Sequence, residues 1–272
     1  MRIVSVRTWA LAVFGIVASY ASLYWVQANT VDGITPPLVG NLPSIVIQGI
    51  GVAVMVYVVA QLGLRQPIGR QWAWLTAGSA SFWIGSIVWA YYEVVLEQPV
   101  PFPGLPDLFY LALYPLAAIG LFSAVSAFGK LFDTRVPLAL AAAVSAVATG
   151  AVYFAVFRTI AADAQLSAIE KIISFFYPLG DIWLLLFPAA ALALTAGQLR
   201  GGRLAWPWWI VVLGYLMVAA ADVMFTVGTW DDTYQSGSII DTGWWLGFSA
   251  VAVAASLMLD VQRPRDTGEV AS

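Results

Sequence analysis

The chain contains no cysteine and no histidine. Without thiolates or imidazoles, disulfides, zinc centres and iron–sulfur clusters have no ligands. A haem would be left with Met, Lys or Tyr, so none is expected. The side chain that usually moves protons near neutral pH is missing too, which leaves carboxylates, Tyr and Lys for any proton chemistry. Charge is also scarce. Charged residues make up 10% of the 272 positions and hydrophobic residues 61%, whereas soluble domains carry about 25% charged residues. That balance is that of an integral membrane protein. No basic patch accompanies the net charge of −3, so nothing points to nucleic acid.

What is present is a series of long apolar runs. They read as an all-α bundle of about eight transmembrane helices, each long enough to cross a bilayer. The spans are Trp9–Ala28, Leu42–Leu64, Trp72–Leu96, Asp107–Phe128, Val136–Phe157, Ile172–Gly197, Trp206–Gly228 and Asp241–Leu259. Short connections leave no room for a soluble head. Residues 1–260 therefore form a single membrane domain, followed by a short polar tail at 261–272. The connector Gln98–Pro106 is stiffened by four prolines. A rival reading makes the first span a signal peptide, with Arg2 and Arg7 before an apolar run and Val26-Gln27-Ala28 as a cleavage site.

Placing the connections on alternating sides separates the charges. Of the twelve Lys and Arg, only Arg158 and Lys171 fall on one side, yet that side collects every acid except Asp133, Asp260, Asp266 and Glu269. Basic residues stay cytoplasmic. Both termini are then cytoplasmic in a bacterial inner membrane, and the acidic half faces outward. Thirteen Trp are present. Trp72, Trp74, Trp206, Trp208 and Trp209 start spans at the inner leaflet, where an interfacial belt places them. Trp83, Trp89, Trp183, Trp244 and Trp245 are candidates to line a cavity.

Five acids lie inside spans or at their outer ends: Glu93, Asp107, Asp181, Asp222 and Asp241. Asp181 is about 14 Å into its span at 1.5 Å per residue. Intramembrane carboxylates are costly and mark functional sites by default. Aromatic donors share their helix faces. Tyr110 follows Asp107 by three residues, Tyr177 precedes Asp181 by four, and Trp244 and Trp245 follow Asp241 by three and four. An acidic, aromatic-lined outer cavity follows as an expectation. If it held a metal, Asp181 and Asp222 would be the ligands. The bland alternatives are N-capping by Asp107 and Asp241, solvation of Glu93, and interhelical hydrogen bonds from Asp181 and Asp222. Pro115, Pro178 and Pro188 interrupt spans, and Pro178 precedes Asp181 by three residues. Gly78, Ser81, Gly85 and Ser86 suit close helix packing. The third and fourth spans and the seventh and eighth share a pattern, an acid-ending helix followed by one opening on Asp, which hints at duplication.

Four blocks together resemble the multi-span N-terminal sensory region of bacterial GGDEF/EAL signalling proteins. They are WIGSIVWAYYE (Trp83–Glu93), PFPGLPDLFYLALYP (Pro101–Pro115), FYPLGDIWLLL (Phe176–Leu186) and AADVMFTVGTWDDTYQSGSIIDTGWWLGF (Ala220–Phe248). The resemblance spans roughly Trp72–Leu259. It implies a sensory input role, with the family's acidic and aromatic positions falling on Glu93, Asp107, Tyr110, Asp181, Asp222, Tyr234, Asp241 and Trp244. The sequence departs from that pattern after the eighth span, where no GGDEF, kinase or methyl-accepting segment follows. It is either part of a longer protein or a stand-alone copy that signals through a partner at the cytoplasmic face.

The leading expectation is thus a membrane signal-input module that binds an extracytoplasmic ligand or cation in the outer cavity. A proton- or cation-coupled small-molecule transporter is the alternative. An enzyme is not expected, because only carboxylate-pair chemistry would remain. A retinal protein is disfavoured because Lys130 and Lys171 both lie at span edges.

Overall fold

The computed structural model describes residues 4–198, 203–231 and 233–262. Arg2, Arg200, Asp232, Arg263, Arg265 and the tail beyond Gln262 lie outside the described residues. The described chain is helical, and the helix ends are set by local chemistry. Helix α1 (Val6–Asn29) starts at Ser5, whose hydroxyl accepts the Thr8 amide. Helices α2 (Pro37–Leu62) and α3 (Pro67–Ala90) each open on proline, which has no amide hydrogen to leave unsatisfied. The end of α3 widens into a π turn at Tyr91–Val95 before the proline-rich connector. Helix α4 is Leu105–Gly129. Helix α5 runs Arg135–Ala162 with a π turn at Tyr153–Phe157. Helix α6, Ala168–Gly197, carries another at Asp181–Leu186. Helices α7 (Trp206–Trp230) and α8 (Asp241–Gln262) complete the order.

Seven of these helices are long and apolar enough to cross a membrane: α1, α2 and α4 to α8. Helix α3 is the exception to the eight expected spans. Its apolar residues are diluted by Gly, Ser, Thr and Trp. Those small polar residues are spent on packing: Gln71, Thr76, Ser79, Ser81 and Ser86 are all buried, and α3 packs between α2 and α4. The Ser81 hydroxyl donates to the Phe109 carbonyl of α4. At Gly85 a Cβ would lie 2.6 Å from the Tyr110 ring, so α4 can approach only because the side chain is absent.

The α3–α4 and α7–α8 pairs pack most extensively, and α6 is bordered by α4, α5 and α7. Broad apolar faces on α1 (Val13, Ile16, Val17) and α5 (Val144, Val147) are exposed, as lipid contact requires. The interfacial belt is only partly as expected. Trp74, Trp206 and Trp209 are exposed, but Trp72 and Trp208 are fully buried and stack at 5.5 Å. The two indoles meet inside the bundle, so packing claims them. Around them Leu75, Leu121, Leu192, Val211 and Val251 form a dry core.

At the same end, α1 is tied to α8. Arg7 Nη2 meets Asp260 Oδ1 at 3.0 Å, and the Thr8 hydroxyl donates to Asp260 Oδ2 at 2.6 Å. The Ser5 amide adds a third bond to Asp260, and Arg7 Nε reaches Ser256. Val26-Gln27-Ala28, the suggested cleavage site, lies within α1 with Val26 buried.

Candidate functional site

At the opposite end, beneath the proline-rich connector, the helices part around a cavity of about 400 Å³. Pocket volumes of this order suit small ligands. Seven of the expected residues line it: Asp107, Tyr110, Tyr177, Asp222, Tyr234, Asp241 and Trp244. Trp89 lines it as well. Trp83, Trp183 and Trp245 instead spend their indole N–H groups on the Ile45 carbonyl, Thr149 and Ser44.

The acids do meet aromatic donors, but not those on their own helices. Asp107 Oδ1 accepts the Tyr177 hydroxyl of α6 at 2.6 Å. Asp222 Oδ1 accepts the Trp244 indole of α8 at 2.6 Å, and its Oδ2 accepts the Tyr114 hydroxyl of α4 at 3.3 Å. Asp241 Oδ1 accepts the Tyr234 hydroxyl at 3.0 Å. The expected same-face pairs are therefore corrected. Tyr110 packs its ring on Phe82 at 4.6 Å, Tyr177 turns to Asp107, and Trp244 turns to Asp222.

Capping explains less than the chain pattern suggests. Helix α4 starts two residues before Asp107, and the Asp107 carboxylate reaches back to the Gly104 amide at 2.7 Å. That is half of a capping box, and the other oxygen remains for Tyr177. Asp241 accepts the Gly237 amide at 2.5 Å. Gly237 has φ +89°, a backbone form that suits glycine. Asp241 thus fastens the segment that carries Tyr234 and Gly237 at the cavity. Burial, reinforced by the neighbouring Asp241, pushes the Tyr234 phenol well above its ordinary value, so it acts as donor. The full capping box lies elsewhere, between Ser167 and Glu170 at the start of α6.

Glu93 and Asp181 sit behind the cavity wall. Glu93 Oε2 accepts Asn41 Nδ2 at 2.6 Å and the Ser236 hydroxyl at 2.8 Å, and both partners line the cavity. Asp181 is 1% exposed, lies beside Asp222 and Tyr114, and has no donor for either oxygen. It opens the π turn of α6, one turn after Pro178. π turns interrupt the regular hydrogen-bond ladder and are frequent at functional sites. Gly180 makes the approach to Asp222 possible, because a Cβ there would lie 2.7 Å from the Tyr114 ring. Among the described residues no three acids gather as a metal-binding group; Asp181 and Asp222 are a pair. The ion pair found among them, Arg7–Asp260, is at the far end of the bundle.

One face of α2 was missed by sequence reasoning. Asn41, Ser44 and Gln48 line the cavity. Gln48 accepts the Ser86 hydroxyl, so Ser86 faces the cavity as well as aiding packing. Their spacing of three and four residues on an otherwise apolar helix was the available signal. Tyr114 and Ser236 had no such signal, since their roles arise from partners distant in sequence.

No protein-family model, no curated protein and no solved structure matches this chain.

Proposed function

We propose that the protein is a sensory input module of a bacterial inner membrane, with eight membrane-crossing helices, cytoplasmic termini and an outward-facing ligand cavity. The observation that carries this reading is the one-ended cavity. Its rim is built from the connector and the loops that carry Asp163 and Ser236. Beneath its acids the bundle closes into the dry core around Trp72 and Trp208. A one-sided site suits a receptor. A carrier needs a path to both faces.

Helix α8 supplies the route inward. Its first turns present Asp241 and Trp244 to the cavity, and its last turns carry Ser256 and Asp260 in the α1 clamp. A ligand that shifts the outer end of α8 would be read at that clamp, by a partner protein or an attached domain. The lipid bilayer is the other partner.

Because the chain lacks cysteine, single substitutions can report access. Ser236→Cys in intact cells is expected to react with a membrane-impermeant maleimide. Leu131→Cys is expected to react only after permeabilisation. Labelling in the reverse order would overturn the orientation. A Ser236→Cys that resists labelling in both states would remove the outward cavity.

A further inference from the structure

Four aromatic rings stand around the inner wall of the cavity. Phe225 lies 4.7 Å from Tyr234, 5.7 Å from Trp244 and 5.8 Å from Trp89. Trp89 and Trp244 each face Tyr234 at 6.5 and 6.4 Å. The contacts are edge-on or tilted, so the rings pack on one another as one aromatic wall of the cavity. They come from α3, α7, α8 and the segment before α8 that carries Tyr234, and all four line the cavity. Asp222 and Asp241 flank this group, each held by neutral donors. Each carboxylate still has lone pairs free. Among the described residues, no Lys or Arg lines the cavity.

This surface carries carboxyl groups and π faces but, among the described residues, no Lys or Arg. An anion would meet three carboxylates, Asp107, Asp222 and Asp241, with no compensation. A purely apolar ligand would leave their free lone pairs dry. Among the described residues no three His, Cys, Asp or Glu side chains gather as a metal-holding group. A soft, weakly hydrated cation satisfies both elements, because aromatic faces attract it and nearby carboxylates balance its charge.

We propose that the cavity binds a compact organic ammonium ion, seated against the wall formed by Trp89, Phe225, Tyr234 and Trp244 with its charge facing Asp222 and Asp241. This rests on reading the cavity as a ligand site. The ammonium group would complete the electrostatics of the outer acids, which have no ion pair among the described residues.

The test uses the 272-residue chain in nanodiscs and three probes of similar shape: choline, the neutral 3,3-dimethylbutan-1-ol and the anionic 3,3-dimethylbutanoate. Tryptophan fluorescence and thermal unfolding are followed during titration. Choline is expected to saturate and to raise Tm, with the neutral isostere at least about tenfold weaker, the equivalent of about 1.4 kcal/mol. Phe225→Leu keeps apolar volume but removes a ring. It is expected to weaken choline about tenfold while leaving the unliganded Tm near that of the parent. Equal binding of choline and the alcohol overturns the ammonium assignment, as does an unchanged choline affinity in Phe225→Leu. Binding of the anion or alcohol alone overturns the ammonium class and leaves the cavity reading intact. Failure of all three probes also overturns it, and Ser236→Cys labelling then separately decides whether the cavity is reached from outside.

Discussion

Tyr177 and Asp107 lie 70 residues apart, on α6 and α4, and their side chains meet at 2.6 Å. The tyrosine that precedes Asp181 by one helical turn thus serves a different acid. Asp181 is left with neither oxygen hydrogen-bonded. The acids of this bundle are organised across helices.

That arrangement separates the two residues by experiment. Tyr177→Phe removes the donor of a buried carboxylate and should lower unfolding free energy by about 1 kcal/mol. Asp181→Asn replaces a buried carboxyl group that no donor supports, and should match or exceed the parent in stability. Thermal melts of purified protein in one detergent compare them directly. A large loss in Asp181→Asn with none in Tyr177→Phe would contradict this assignment of partners.

Gly180 holds open the space through which Tyr114 reaches Asp222. In Gly180→Ala the new methyl would lie 2.7 Å from the tyrosine ring. Such overpacking costs about 1–3 kcal/mol and should displace the Tyr114 hydroxyl from Asp222. Gly197→Ala, where nothing lies within 4 Å of the added methyl, serves as control. Equal melting of the two variants would show that the ring has room to move.

The clamp between α1 and α8 should behave as one unit. Asp260 accepts bonds from Arg7, Thr8 and Ser5. Asp260→Ala is expected to cost about 2 kcal/mol and Arg7→Ala about 1 kcal/mol, because Arg7 is partly exposed. The double variant should cost less than the sum. Strict additivity in a double-mutant cycle would mean that the two side chains do not share an interaction.

Tyr234 gives a pH signature. Burial raises its phenol in the folded protein, so the folded state keeps a proton that the unfolded state releases at about pH 10. Above that pH the stability it contributes is lost as pH rises, at up to about 1.4 kcal/mol per unit. The parent should therefore lose stability more steeply than Tyr234→Phe in alkaline melts. Parallel slopes would place the phenol in water.

The amino-acid sequence by itself determined the membrane class, because 61% hydrophobic residues in long runs have no other stable solvent. It also determined where the helices run, since hydropathy, proline and capping chemistry act over a few residues. The acids at one end of the bundle were legible for the same reason, as each is costly where it stands. Tertiary structure alone decided which donor serves which acid: Trp244 went to Asp222 and Tyr177 to Asp107, against their helical neighbours. It also brought Asn41, Ser44 and Gln48 to the cavity and packed Trp72 against Trp208 in a buried stack. A helix face can be read from spacing, but the partner of that face depends on how helices cross, and no local pattern specifies the crossing.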